Sequence, residues 1–282
     1  MSAHMKSIFS PISLRTALLA ALVMVVSQLS TQASLLSSGV VLGASDQVGG
    51  SRWAVFTLGS GVNDVNTLSS GANIWGDVAF AGSGKSNLSG TGSIRGDVVS
   101  HSGGSMVKSS TFGITGSVVN TGRNTDLENG ANDAINASNF AVGLSASVGY
   151  PTTINQNTSL SLSGGANQTV VLQLTDFVLS GTAALTLQGT ATTTYIVNVT
   201  NKFSLSGSSI VQLSGGLTAD NVLFNVRNSG DATMSSSSVL NGIVLATGRT
   251  MKMSGSATVY GQVIANKVAM SGVSTVRRPI SP

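Results

Sequence analysis

The sequence predicts an all-β dominated protein, a β-solenoid with one long α-helix packed alongside, and three observations carry that prediction. A unit of the form apolar-x-Gly-polar-Val returns at fixed intervals along the chain. The composition is poor in charge and rich in small residues, with 9% charged residues and 34 Gly in 282, against about 25% charged and ~7% Gly in an average soluble domain. A single stretch, 126–142, leaves the strand pattern for the spacing of an amphipathic helix.

The amino end comes first. Residues 1–33 read as a secretory signal: Lys6 and Arg15 give a positive flank, Ala17 to Val26 is an unbroken apolar run, and Thr31-Gln32-Ala33 sets small residues three and one positions before a cut ahead of Ser34. The run is too short to span a bilayer, which takes ~20 apolar residues. The expected domains are therefore a signal at 1–33 and one β-helical domain over 34–282. Losing Lys6 and Arg15 from the 14 basic residues leaves 12 against 10 acidic ones, a net +2. With only Arg277-Arg278 as a basic pair, no nucleic-acid footprint is expected.

The first repeat series follows. Ile74-Trp75-Gly76-Asp77-Val78, Ile94-Arg95-Gly96-Asp97-Val98 and Ile114-Thr115-Gly116-Ser117-Val118 place one unit at intervals of 20 residues. Twenty residues make about one turn of a solenoid: three short strands at ~3.3 Å per residue and the corners between them. Val, Ile, Leu and Phe then point inward and stack on their counterparts in neighbouring coils, each burial contributing ~1.5–3 kcal/mol. Glycine serves the corners, and Ser, Thr and Asn suit the outer surface. A sandwich of short strands would explain the composition but not the interval. In this register Ile94 and Val98 point inward and Arg95 outward.

The helix interrupts the coils. Thr125-Asp126-Leu127-Glu128 has the form of a capping box, and Ala131, Ala134, Ile135, Ser138 and Val142 share one helical face up to Gly143. Beyond it, Phe177-Val178-Leu179-Ser180-Gly181 and Phe203-Ser204-Leu205-Ser206-Gly207 recur at 26 residues. Leu240-Asn241-Gly242-Ile243-Val244 and Val259-Tyr260-Gly261-Gln262-Val263 have their glycines 19 apart.

These features resemble the bacterial choice-of-anchor A family of adhesive domains and the related ice-binding family, whose fold is a discontinuous β-helix flanked by one long helix. The matching residues are Trp53-Ala54-Val55-Phe56-Thr57-Leu58-Gly59, the Gly-Asp-Val units at 76 and 96, the helix after Thr125, and in the carboxyl third Asn221 to Val226, Leu240 to Ala246 and Gly261 to Ala265. The resemblance implies an exported, non-enzymatic protein of the bacterial cell surface, extracellular space or periplasm. Its partner would be an extracellular surface, matrix or polysaccharide, or ice. The chain stops at Arg277-Arg278-Pro279-Ile280-Ser281-Pro282 without a hydrophobic tail, so no transmembrane segment is expected after signal removal, and the protein is expected to be released or held by another route.

Site chemistry is sparse. With 0 Cys and 2 His, thiol catalysis, cysteine zinc sites and histidine clusters are excluded, and no catalytic residue, cofactor or metal is expected. Arg95-Gly96-Asp97 spells an integrin-type tripeptide, but Trp75-Gly76-Asp77 and Thr115-Gly116-Ser117 fill the same slot, so it reads as a corner. Asp77 and Asp97 fall one coil apart, near enough for a divalent ion but without a third ligand. Met251 and Met253 alternate like core residues of a strand, with Met270 on the last coil. Asp220 and Asp231 flank a strand beside Arg227, as in a surface ion pair. A flat, weakly charged face is the expected means of binding, and Thr190, Thr192 and Thr194 are its candidate patch.

Overall fold

Alternation of inward apolar and outward polar residues in short runs produces strands of two to six residues, apart from two long ones that run through a corner, and each is completed by its neighbouring coils. The computed structural model describes residues 53–61, 63–227 and 230–278. The proposed signal lies outside these residues. Coils stack in parallel register, and the predicted ladders are present: Ile74↔Ile94↔Ile114, Val78↔Val98↔Val118, Phe177↔Phe203 and Leu240↔Val259. Ile94 and Val98 are fully buried and Arg95 is exposed, in the predicted register.

The order of stacking is discontinuous. The column begins with the coil of strands Ile154–Gln156, Leu160–Ser163 and Thr169–Leu174 and rises through Phe177–Leu179, Phe203–Leu205 and the two long strands Val239–Met253 and Thr258–Met270, which run through a corner. The first described strand, Val55–Thr57, then inserts between 263–265 and Val78–Phe80. Residues 275–277 likewise lie between 258–260 and Asn73–Trp75. The early coils therefore sit on top of the last ones, and helix α1, Asn124–Gly143, carries the chain from the upper coils back to the first coil of the column.

The coils form three parallel sheets. Inward side chains from all three make one continuous core, in which Phe177 stacks on Phe203 at 5.3 Å and Phe224 closes against both. Met251, Met253 and Met270 are buried in it, as expected. One corner column needs a left-handed backbone: Gly207 has φ of 70°, and a Cβ there would stand 2.5 Å from the Gly181 carbonyl oxygen. No larger residue fits without moving the coil below.

The sheets differ on their outward sides. The first sheet, containing Val55–Thr57, Val78–Phe80, Val98–Ser100, Thr194–Val199 and Val222–Val226, is buried on both sides, with Phe56, Ala79, Val99, Ile196 and Leu223 facing out of the coil yet shielded. Helix α1 packs on this sheet, against Thr194–Val199, Val222–Val226 and Val239–Met253. Its placement corrects the sequence reading in two ways. It starts at Asn124, with Arg123 at the N-cap, whose guanidinium has no acceptor to offer the first-turn amides and instead donates to Asp126 at 2.6 Å, while the supposed capping-box Glu128 pairs with His101, 3.3 Å away. The buried stripe is Leu127, Gly130, Ala134, Ser138 and Ala141, whereas Ile135 and Val142 are exposed. Small residues face the sheet because its outward side chains already supply the apolar bulk.

Close approach permits a buried polar clasp. Ser138 Oγ donates to Asn225 Oδ1 at 2.6 Å. Asn225 Nδ2 donates to the Ser138 carbonyl at 3.0 Å and to Asn198 Oδ1 at 2.7 Å, and Asn198 Nδ2 donates to the Ala141 carbonyl at 2.7 Å. Asn198 and Asn225 are register partners on adjacent strands, both fully buried. Every member is satisfied, which is the condition under which a buried polar network stabilises a packing.

Candidate binding face

With the first sheet covered, the outward sides of the other two remain for function. The second sheet carries Lys85, Lys252 and Lys267 outward; Lys252 pairs with Asp231 at 2.5 Å and Lys267 with Asp64 at 3.4 Å. The third sheet is different. Its strands include Leu160–Ser163, Ala184–Gln188, Ile210–Ser214, Thr275–Arg277, Asn73–Trp75 and Ser93–Arg95, and none of its strand residues is acidic.

One outward row runs along this sheet, one residue per coil: Ser161, Thr186, Gln212, Asn241, Tyr260, Arg277, Trp75 and Arg95. At ~4.8 Å per strand the row is about 34 Å long. Strand alternation places these side chains outside because their neighbours Leu162, Leu187, Val211, Leu240, Val259, Val276, Ile74 and Ile94 fill the core. The row has two halves. From Ser161 to Asn241 it is uncharged, with hydroxyls and amides laddered by bonds such as Gln212 Nε2 to Thr186 Oγ1 at 2.7 Å and Asn241 Nδ2 to the Val211 carbonyl at 2.8 Å. From Tyr260 to Arg95 it is aromatic and cationic, and the Arg95 and Arg277 guanidiniums lie 3.9 and 4.9 Å from the centre of the Trp75 ring.

Threonines 190, 192 and 194 stand at the edge of this face. Thr190 and Thr192 occupy the corner leading from Ala184–Gln188 to the covered sheet, and Thr194 is the first residue of a covered-sheet strand. The hydroxyls of the first two are engaged at the corner: Thr190 Oγ1 contacts Thr192 Oγ1 at 3.0 Å and Thr193 Oγ1 at 3.3 Å, and Thr192 Oγ1 accepts from the Asn167 amide of the neighbouring coil at 3.0 Å. Thr193 Oγ1 donates to the Gly165 carbonyl at 2.6 Å. The cluster thus builds a turn.

The remaining candidate groups take structural roles. Asp77 Oδ1 accepts from the Asp97 amide at 2.8 Å and Asp97 Oδ1 from the Ser117 amide at 2.7 Å, each carboxylate holding the corner of the next coil. Arg95-Gly96-Asp97 is therefore split between a stacked arginine and a corner aspartate. Among the described residues no cluster of three or more His, Asp or Glu is placed to hold a metal. Asp220 and Asp231 sit in ion pairs, as expected, with Arg278 at 4.0 Å and Lys252 at 2.5 Å, while Arg227 Nη1 donates to Asn139 of the helix at 2.7 Å. Tyr195 is fully buried, donates to the Gln188 carbonyl at 2.7 Å, and has its pKa pushed up to about 12 by burial. No described helix is long and apolar enough to cross a membrane.

Sequence reasoning missed the Asn198–Asn225 clasp and the sandwiching of Trp75. The first had a signal, since Tyr-Ile-Val-Asn-Val at 195–199 and Val-Leu-Phe-Asn-Val at 222–226 each put an amide in the outward slot of an otherwise apolar strand.

Residues 26–275 match the family described as a putative ice-binding-like adhesive domain. Among solved structures, a glycosylated ice-binding protein from an Arctic yeast is similar at 16% identity and a TM-score of 0.50, over 82% of this chain and 92% of that one. An ice-binding protein from an Antarctic biological consortium is similar at 20% identity and a TM-score of 0.51, over 81% of this chain and 88% of that one. At these identities the likeness is one of fold, a β-helix with a flanking helix. No curated protein matches the chain in sequence. The extent of the family match shows that the chain belongs to the ice-binding-like adhesive family.

Proposed function

We propose that this member of the ice-binding-like adhesive family is an exported, non-enzymatic binding module. It attaches to an extended extracellular surface, matrix or polysaccharide through the outward row of its third sheet. The observation that carries this reading is the row itself. Eight in-line side chains, rich in hydroxyl, amide and aromatic groups and free of carboxylates, stand on one core, whereas the first sheet is buried on both sides and packs against helix α1. A ladder of fixed donors and acceptors loses little conformational entropy on contact, and many weak rungs add along a repetitive partner. Thr190 and Thr192 border this face. The scattering of carboxylates among corners and ion pairs supports the non-enzymatic part, since β-helical hydrolysis calls for paired carboxylates flanking a bond.

Ice is the second reading, favoured by the uncharged half of the row and by the activity named for the structural neighbours. Against it stands the unevenness of that half, where the short Ser161 and Thr186 give way to the longer Gln212 and Asn241. Adsorption of the purified chain to insoluble polysaccharides, beside thermal hysteresis and recrystallisation assays, separates the two. Retention on a polysaccharide without hysteresis supports adhesion. Hysteresis without retention moves the function to ice, and neither result would overturn both.

A further inference from the structure

The upper half of the row has a chemistry that neutral adhesion does not use. Trp75 lies between Arg277 and Arg95 on consecutive rungs, and both guanidiniums stack on its ring. Both arginines are exposed, and neither is ion-paired among the described residues. The nearest carboxylates by sequence, Asp77 and Asp97, accept from backbone amides in the corner. A guanidinium held over an aromatic ring keeps in-plane N–H groups for a bidentate oxyanion while the ring limits its rotamer freedom. The two forks stand two rungs apart, ~9.6 Å at the usual strand spacing. Tyr260, half-exposed on the next rung, continues the row toward the amides and hydroxyls of the uncharged half.

The geometry points to a binding site for an anionic polysaccharide, a sugar polymer bearing carboxylate or sulfate groups that pair with Arg95 and Arg277 while its hydroxyls run along the neutral rungs. This inference rests on the third sheet being the binding face and names the class of polymer it takes. Charge complementarity favours such a polymer over nucleic acid. Two stacked cations in a row suit sparse oxyanions on a hydroxyl-rich chain, whereas a duplex is held by many phosphate contacts from a broad basic surface.

The test is binding of the purified chain to soluble polygalacturonate, dextran sulfate, neutral dextran and duplex DNA, followed by calorimetry and by Trp75 emission in a Trp53→Phe background. The expected result is binding to one or both anionic polymers, roughly tenfold or more tighter than to neutral dextran, weakening with salt. Preference for polygalacturonate would assign carboxylate, and for dextran sulfate the sulfate ester. Arg95→Gln/Arg277→Gln should lose that preference roughly tenfold with an unchanged melting temperature, and Arg277→Lys, which keeps the charge without the fork, should lose part of it. Equal binding of the double variant, equal binding to neutral dextran, or DNA bound as tightly as either anionic polymer would each overturn the proposal. If the anionic polymers fail while neutral polymer or ice is still bound and Gln212→Lys blocks it, this inference alone falls. If nothing is bound, the binding-face reading falls with it.

Discussion

The covered sheet and the third sheet are built on the same coils with the same inward logic, and they differ only in what faces away from the core. On the covered sheet the outward residues are Phe56, Val99, Ile196 and Leu223 with two buried asparagines, and a helix of small residues lies over the strands of Ile196 and Leu223. On the third sheet the outward residues are Ser161, Thr186, Gln212 and Asn241, then Tyr260 and the stacked Arg277–Trp75–Arg95 run, and no described element packs over their exposed members. In a solenoid the core needs only one side of each strand. The other side is available for a partner, whether that partner belongs to the chain or to the environment.

The comparison can be broken first at the shared core. Ile94→Asp should destabilise by several kcal/mol, about 4 or more, because an unpaired carboxylate would be buried in the column, whereas Arg95→Ala one residue away should change stability by less than about 0.5 kcal/mol. Equal losses in denaturant melts would show the inward–outward register to be wrong.

Next comes a pH test of Tyr195 beneath the covered sheet. Its folded pKa of about 12 lies above the ordinary 10.0. The protonated phenol is thus favoured by folding, so its contribution is fully present below pH 10 and is lost as pH rises toward 12. Stability should fall by roughly 2–3 kcal/mol across that window, and Tyr195→Phe should remove this component of the fall.

A similar or smaller effect is expected at the clasp. Asn225→Ala should cost about 1–3 kcal/mol, by stranding Asn198 and Ser138, and should increase hydrogen exchange in helix α1 more than in the third sheet. The smallest effect on folding belongs to the third sheet, where Thr186→Val should move stability by less than about 0.5 kcal/mol.

Much of this contrast was legible in the residues. Ile74, Ile94 and Ile114, or Phe177 and Phe203, repeat at the interval that stacks them, because adjacent coils impose the same environment on the same slot. The closure that sets Val55 between Val263 and Val78 leaves no such trace, since it joins segments some 200 residues apart with no common interval. That is also why Arg277 could not be placed beside Trp75, although the equivalence of Trp75 and Arg95 was plain from their spacing. The threonines at 190–194 are consecutive residues of a solenoid corner, with Thr190 and Thr192 exposed beside the face, whereas the outward row is made of residues a whole coil apart, an alignment that no single stretch of sequence displays. The helix register failed for a related reason. Ile135 and Val142 are its bulkier residues, yet the sheet beneath is already apolar and accepts the small ones.

The most direct measurement of the central claim is adsorption of two register-matched variants to the same polysaccharide surface, Gln212→Lys on the third sheet and Ser204→Lys on the second. Both keep the core intact and add one identical charge. Binding should fall severalfold for Gln212→Lys on a neutral polymer and remain unchanged for Ser204→Lys. Equal retention of both, or loss confined to Ser204→Lys, would contradict the assignment of the third sheet as the face that meets the environment.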